Sequence, residues 1–138
     1  MNILIIADDR CVTETVRKTV YQCEPSCTIF EASSPREALR LMRSAYMNIV
    51  FSEIHMHEMN GLAFVEAHKQ LFARNCWIAV SEFKSFHDIK KAIQLGGRDY
   101  LLKPVEEPVL HGLLEGLIHE ENAYWQGGYG YDSCACCH

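Results

Sequence analysis

The chain has 138 residues, of which 49% are hydrophobic and 22% charged, and its net charge is −5 with histidine neutral. This length and composition fit one globular domain that folds without disulfides or a structural metal. The negative charge argues against direct binding of nucleic acid, which usually requires a basic face. The apolar runs are too short to cross a membrane.

The first ten residues, MNILIIADDR, lack the basic start and long apolar stretch of a signal peptide. We therefore expect a cytoplasmic protein without a membrane segment. Seven cysteines are present, an odd number. Without a secretory signal, the four in the body of the chain are expected to be reduced thiols. These four are Cys11, Cys23, Cys27 and Cys76.

Short apolar runs alternate with helical patterns in the first half of the chain. Residues 3–7 form an apolar run without polar alternation, which is typical of a strand buried on both faces. Residues 13–20 carry valines spaced by four and predict a helix, and residues 28–32 predict a second strand. Ser34 and Pro35 fit the N-cap and first position of the next helix. Its apolar face is predicted to consist of Ala38, Leu41, Met42 and Ala45.

The same alternation continues in the second half. Further strands are predicted at residues 49–52, 77–80 and 100–102. The helices between and after them are predicted from Gly61 onward, at residues 86–95 and at residues 107–121. Gly96 and Gly97 are expected to end the second of these helices. The core-facing positions are predicted to be Leu62, Val65, Phe72, Ile89, Ala92, Ile93, Leu110, Leu113, Leu114, Leu117 and Ile118.

Five strands alternating with five helices predict an α/β fold, because crossover helices join parallel strands and cover both faces of the sheet. Right-handed crossovers then give a doubly wound sheet. We expect this domain to cover residues 1–121. Residues 122–138 differ in composition and include the segment YWQGGYGY, which predicts a flexible tail rich in Gly, Tyr and Cys.

Polar side chains follow four of the five predicted strands at the point where each strand ends. Asp8 and Asp9 follow the first strand and Glu53 follows the third. Ser81 follows the fourth strand and Lys103 follows the fifth. Functional groups of doubly wound sheets collect at the carboxyl ends of the strands. We therefore expect three acids, a hydroxyl and an ammonium to lie close together at one edge.

Four segments, in this order, resemble the receiver domain of bacterial response regulators: ILIIADD, IVFSEIHMHEMNG, WIAVSE and AIQLGGRDYLLKP. The last is the most specific, since the family often has G-A-x-D-Y-L-x-K-P there. The resemblance covers residues 1–121 and implies the flavodoxin-like strand order 2-1-3-4-5. It also implies a role in two-component signalling through protein contacts, and not an enzyme.

The resemblance implies a function for each polar residue at this edge. Asp8 and Asp9 correspond to acids that help to hold Mg²⁺, and with Glu53 they form a candidate metal site in which we expect weak binding. Glu53 occupies the position of the aspartate that accepts a phosphoryl group. Ser81 and Lys103 correspond to groups that contact the phosphoryl oxygens.

Three further expectations concern the ends of the fourth and fifth strands. Tyr100 corresponds to an aromatic residue that moves inward on switching, although plain sheet packing explains it equally well. The bond between Lys103 and Pro104 is expected to be cis, as it usually is in the family. Ser81 is explained almost as well as the N-cap of a helix that begins near Phe83.

Glu53 departs from the family pattern D-I-x-M-P-x-M-D-G, which here is E-I-H-M-H-E-M-N-G. Its side chain is one methylene longer than aspartate, which misplaces the carboxylate for in-line attack on a phosphodonor. We therefore expect no phosphorylation, with Glu53 either mimicking the phosphorylated state or only balancing the charges of the pocket. A working receiver that uses another acceptor is an alternative.

The resemblance implies a histidine kinase or a downstream effector as partner, with a homodimer as a further option. His55 and His57 are expected to be exposed loop residues and not metal ligands. The final segment, SCACCH, contains Cys134, Cys136 and Cys137, so a metal- or thiol-redox-sensing module is another alternative. A flavin or nucleotide binder is a third, although no glycine- or hydroxyl-rich loop follows the first strand.

Overall fold

The computed structural model of the protein describes the backbone of residues 1–127 and the side chains of residues 1–123. Five strands form one parallel sheet in the order β2-β1-β3-β4-β5. The strands are β1 Asn2–Ile6, β2 Thr28–Ala32, β3 Ile49–Glu53, β4 Cys76–Ser81 and β5 Asp99–Leu102. The helices are α1 Arg10–Cys23, α2 Pro35–Ser44, α3 Gly61–Ala67, α4 Lys69–Phe72, α5 Phe86–Gln94 and α6 Glu107–Gly127. The predicted α/β fold and strand order are confirmed.

Helices cover the sheet on both faces, and a hydrophobic core cluster lies between the helices and the sheet on each face. Along β1, Ile3 and Ile5 belong to one cluster, and Leu4 and Ile6 belong to the other. Helices α1 and α6 complete the first cluster, while α2, α3, α4 and α5 complete the second. The apolar run at the start of the chain therefore forms a strand that is buried on both faces, as predicted.

Local sequence signals set the start of α2 and the end of α5, as predicted. The Ser34 hydroxyl accepts a hydrogen bond from the Glu37 N–H at 3.2 Å, and Pro35 is the first residue of α2. At the end of α5, Gly96 has a φ of +88°, a conformation that favours glycine. The Gly97 N–H then donates to the Ala92 carbonyl at 2.8 Å and closes the turn.

The third crossover contains two helices where the sequence predicts one. His68 has φ −126° and ψ 43°, which are not helical angles, and it separates α3 from the single turn of α4. Its N–H still donates to the carbonyls of Phe64 and Val65, both at 3.1 Å. Phe72 is 3% exposed and reaches the core as predicted.

Two predictions about the later helices are wrong. Ile93 is 65% exposed, because α5 buries only Ala92 fully and packs on the sheet along a narrow stripe. Helix α6 does not end at Glu121 but continues to Gly127, since residues 117–126 contain neither glycine nor proline. The cysteine-rich segment of residues 134–137 lies outside the described residues, so its predicted properties stay predictions.

The four cysteines in the body of the chain are free thiols, as predicted. Burial raises the pKa of Cys23 and, with the opposing effect of the N-terminal charge, that of Cys27. Within residues 1–127, no helix is both long and apolar enough to cross a membrane.

Candidate functional site

The five polar residues predicted to meet at the carboxyl edge of the sheet are positioned by four adjacent strands. Asp8 and Asp9 lie in the turn between β1 and α1, and Glu53 is the last residue of β3. Ser81 ends β4, and Lys103 directly follows β5. Because β1, β3, β4 and β5 are consecutive neighbours in the sheet, their carboxyl ends lie side by side at one edge.

The Glu53 carboxylate is almost completely buried, with 1% of the residue exposed. Its Oε1 accepts hydrogen bonds from the backbone N–H groups of Asp8 at 2.9 Å and Asp9 at 3.0 Å. Its Oε2 forms a short ion pair with Lys103 Nζ. A buried carboxylate is costly unless its oxygens are paired. Both oxygens of Glu53 have partners, so the charged form is accommodated.

The Lys103 ammonium joins two acids. Besides Glu53 it contacts Asp9 Oδ2 at 3.1 Å, and its side chain is 18% exposed. Burial alone lowers the pKa of Lys103, but the hydrogen bonds to Glu53 and Asp9 outweigh it and leave the pKa raised. Burial likewise opposes the lowered pKa of Asp9, which follows from its bonds to Lys103 and to the Cys11 N–H. Lys103 and Asp9 therefore stay ionised near neutral pH. The bond from Lys103 to the next residue, a proline, is cis, as expected.

The two acids after β1 also fix the surrounding loops. Asp9 Oδ1 accepts from the Cys11 N–H at 2.9 Å and caps α1. The exposed Asp8 accepts from the His57 N–H at 2.8 Å through Oδ2, which ties the loop after β3 to the turn after β1. Each carboxylate thus has a structural partner besides any signalling role.

The present arrangement does not fit a resident Mg²⁺ ion. No group of three His, Cys, Asp or Glu side chains in the described part of the chain is placed to hold a metal. The Lys103 ammonium lies between the Asp9 and Glu53 carboxylates, where a cation bound to both would have to be. Both oxygens of each carboxylate already accept hydrogen bonds. The predicted weak metal site stays a prediction that requires Lys103 to move.

Ser81 and Tyr100 both bond to the backbone of Phe83 in the loop after β4. The Ser81 hydroxyl accepts from the Phe83 N–H at 3.0 Å, and the Tyr100 hydroxyl donates to the Phe83 carbonyl at 2.8 Å. Burial raises the pKa of Tyr100 more than the nearby Ser81 hydroxyl lowers it. Helix α5 begins at Phe86, as predicted, and is capped by Ser85, so the alternative of Ser81 as the N-cap of a helix that begins near Phe83 is wrong.

One contact at the mouth of the site was not predicted. His55 Nε2 lies 3.3 Å from Asp88 Oδ2 in the first turn of α5, and the His55 ring packs edge-on against Phe83 at 5.2 Å between centroids. His55 and His57 are exposed, as predicted. The only sequence signal for this contact is an acid in the first turn of a helix, which is too common to indicate a partner.

Comparisons with known proteins agree with the observed fold. The sequence profile of the family described as "Response regulator receiver domain" matches residues 3–115. An uncharacterised response regulatory protein of Staphylococcus epidermidis is 30% identical over 118 residues, which are 84% of this chain and 46% of that protein. Transcriptional regulatory protein YdfI of Bacillus subtilis is 29% identical, over 86% of this chain and 55% of its own length. The chain thus spans about half the length of these curated relatives.

Solved structures show the same fold. The N-terminal domain of an uncharacterised Wolinella succinogenes protein is 28% identical and superposes with a TM-score of 0.77 over 89% of this chain and 98% of that one. A two-component response regulator from Clostridium difficile, 20% identical, gives a TM-score of 0.78 over 88% of this chain and 98% of that one. The chain therefore belongs to the response regulator receiver domain family.

Proposed function

We propose that this chain is a receiver-type signalling module in which Glu53 replaces the phosphoacceptor and the domain is not phosphorylated. The observation that carries the proposal is the buried ion pair between Glu53 and Lys103. In the family, the equivalent lysine contacts the phosphoryl group. Here it already binds a carboxylate that is part of the chain.

The hydrogen bonds of Glu53 support the absence of phosphorylation. A phosphoacceptor must present a free carboxylate oxygen in line with the phosphodonor. Glu53 Oε1 accepts from two backbone N–H groups and Oε2 accepts from Lys103. Because the carboxylate is also 1% exposed, a donor molecule has no open approach to it.

Mimicry of the phosphorylated state is expected to be partial. A phosphoryl group brings nearly two charges and three acceptor oxygens, whereas Glu53 brings one charge and two oxygens. Lys103 is drawn to Glu53, while Ser81 and Tyr100 bond to the backbone of Phe83. We therefore expect Glu53 to engage Lys103 as a phosphoryl group would, but not Ser81.

We infer that signalling occurs through contacts of the face formed by α5, β5 and α6. This face presents large apolar side chains to solvent, which is a common property of protein interaction sites. They are Phe86 at 80%, Ile93 at 65%, Val109 at 60% and Leu102 at 41% exposure. The loop bearing Phe83 connects this face to Ser81 and Tyr100, so a change at the site has a short path to the face.

The partners stay predictions within this proposal. Receivers of this family act with histidine kinases and effectors, and either class fits a face that works by contact and not by turnover. A homodimer through the same face is a further option. The cytoplasmic location and the absence of direct contact with nucleic acid are also predictions. The alternative of thiol or metal sensing rests on residues outside the described part of the chain, and no described residue favours it.

The substitution Glu53→Gln tests whether the charge of Glu53 sets the conformation of this face. Glutamine keeps the shape but weakens the attraction for Lys103, so we expect backbone amide shifts at Ser81, Tyr100 and along α5 in two-dimensional NMR spectra. Glu58→Gln, which makes the same change at an exposed loop position, is the matched control and should shift only its neighbours. If Glu53→Gln also shifts only its neighbours, Glu53 merely balances the pocket and the signalling proposal is wrong.

A further inference from the structure

A cleft lies at the edge of the sheet opposite to Glu53. A cavity of about 1050 Å³ is bounded by the end of α2, the loop before β3, α4 and the loop before β4. A second cavity, of about 720 Å³, follows the outer face of α2 and shares Arg43 and Ser44 with the first. Both loops precede parallel strands, so the cleft is at the amino edge and is separate from the candidate signalling site.

Five exposed cations line these two adjacent cavities, which we call the basic cleft: Arg36, Arg40, Arg43, Lys69 and Arg74. The three arginines of α2 are spaced by four and three residues and therefore share one face of the helix. Lys69 and Arg74 come from α4 and the loop after it, on the other side of the first cavity.

The cations of the basic cleft differ from most other described cations because none of them forms an ion pair. All 13 Lys and Arg residues belong to the described part of the chain. Six of them form ion pairs: Arg10, Arg17, Lys18, Lys91, Arg98 and Lys103. Among the described residues, the five cations of the cleft form none, and only Lys84 and Lys90 are otherwise left unpaired. In a chain of net charge −5, unneutralised positive charge is thus concentrated at one place.

The acids near the cleft are already engaged elsewhere. Glu37 accepts from the N–H and the hydroxyl of Ser33 at 3.0 and 3.1 Å, and these bonds lower its pKa. Glu66 pairs with Lys91 at 2.8 Å, which lowers its pKa as well. Glu37 still attracts Arg40, and Glu66, which lines the first cavity, attracts Lys69, but neither carboxylate forms an ion pair with a cation of the cleft. An anion from outside the chain would therefore meet cations whose hydrogen-bond donors are not held in ion pairs.

We propose that the basic cleft binds a small phosphorylated ligand of the nucleotide type, with two or more phosphate groups. Guanidinium groups bind phosphate through paired charge-assisted hydrogen bonds, and four of the five cations are arginines. The first cavity is similar in volume to known small-molecule sites, which measure roughly 300–1000 Å³. The negative charge of the whole chain disfavours a long polyanion such as DNA, because most of its length would be repelled.

Tyr46 gives the cleft a surface for a base. Its ring is 41% exposed on the wall of the first cavity, and its hydroxyl donates to the Arg74 carbonyl at 2.5 Å. This bond holds the ring beside the phosphate-binding cations. Aromatic rings stack on nucleic-acid bases without regard to their identity. The cleft therefore combines hydrogen-bond donors that can bind phosphate with an aromatic ring on which a base can stack.

Calorimetric titration of the full chain with ATP, without divalent cations, tests the proposal. We expect saturable binding that Arg43→Gln with Arg74→Gln weakens about tenfold or more, because charge-assisted hydrogen bonds are lost. Lys84→Gln with Lys90→Gln removes two charges from exposed, unpaired lysines outside the cleft and should change the affinity less than about twofold. Tyr46→Leu should weaken binding of ATP but not of pyrophosphate.

Three results would overturn the proposal. The first is no saturable ATP binding up to about 5 mM, since weaker affinity falls outside that of specific sites. The second is an equal loss of affinity in the two double variants, which would show attraction by charge alone. The third is tighter binding of a short polyglutamate peptide than of ATP, with the peptide binding lost in the variant Arg43→Gln with Arg74→Gln. That result would assign the cleft to an acidic protein segment. None of these outcomes depends on whether Glu53 is phosphorylated.

Discussion

At Lys103, one ammonium holds two carboxylates that would otherwise repel each other. The buried Glu53 depends on it most, because only backbone N–H groups remain as partners when the lysine is removed. Removing one member of a buried ion pair usually costs more than the pair contributes, since the remaining charge is left unpaired. Lys103 is therefore as important for folding as for any signal.

We expect Lys103→Met to lower the free energy of unfolding by about 3 kcal/mol, because it leaves the buried Glu53 carboxylate without a counter-charge. Urea denaturation monitored by circular dichroism measures the change. Lys91→Met is the matched control, because it breaks the exposed pair with Glu66 and should cost less than about 1 kcal/mol. Adding Glu53→Gln to Lys103→Met should recover much of the lost stability. Equal losses in the two single variants would contradict the account.

The carboxyl-edge residues were predictable from the sequence, whereas their contacts were not. Glu53 and Lys103 could be placed because each directly follows an apolar strand, and parallel strands end at a common edge. The bonds from the Asp8 and Asp9 N–H groups to Glu53 depend on the turn after β1, which no periodic pattern describes. The pair of His55 and Asp88 joins the loop after β3 to the first turn of α5, 33 residues away, and neither residue is unusual in its own segment.

Among the helices, ends set by local chemistry were predicted well and ends set by packing were not. Ser34 and Gly96 act through their own side chain or backbone angle, so the sequence alone indicates them. The break at His68 has no glycine or proline to mark it and arises where the chain must bring Phe72 into the core. The exposure of Ile93 depends on how far α5 lies over the sheet, which helical periodicity does not determine.

We expect Ser34→Ala to lower the free energy of unfolding by about 1 kcal/mol, because the Glu37 N–H loses its capping acceptor. Thermal unfolding followed by circular dichroism at 222 nm measures the loss. Ser44→Ala is the control, since its exposed hydroxyl only donates to the Leu41 carbonyl at the other end of α2 and should change little. A larger effect at Ser44 than at Ser34 would show that the cap does not stabilise α2.

The molecule as a whole consists of one sheet with a hydrophobic core on each face. Its polar features are divided between the carboxyl and amino edges of that sheet. The carboxyl edge holds a closed network of acids around Lys103, and the amino edge holds the unpaired cations of the basic cleft. Sequence analysis predicted the first edge because strand ends are visible in the hydrophobic pattern. The second edge was not predicted, because the arginines of α2 and the residues around Arg74 come near each other only when α2 and α4 pack on the same face of the sheet.

Among the described side chains, both core clusters are formed by residues up to Ile118. We expect deletion of residues 129–138 to leave the melting temperature of the protein nearly unchanged, because the composition of that segment offers few apolar contacts. Differential scanning calorimetry of the shortened and full-length proteins measures the difference. A large drop in melting temperature would mean that the segment packs on the core or carries a structural metal through its cysteines.

Incubation with acetyl phosphate and Mg²⁺, followed by intact-mass spectrometry, tests the replacement of the phosphoacceptor by Glu53 most directly. We expect no phosphoryl mass on the wild-type chain, because both Glu53 oxygens are bonded and the carboxylate is buried. Glu53→Asp, which shortens the side chain and frees space beside Lys103, should gain one phosphoryl group. A stoichiometric gain on the wild-type chain, at Glu53 or at any neighbouring residue, would contradict the account.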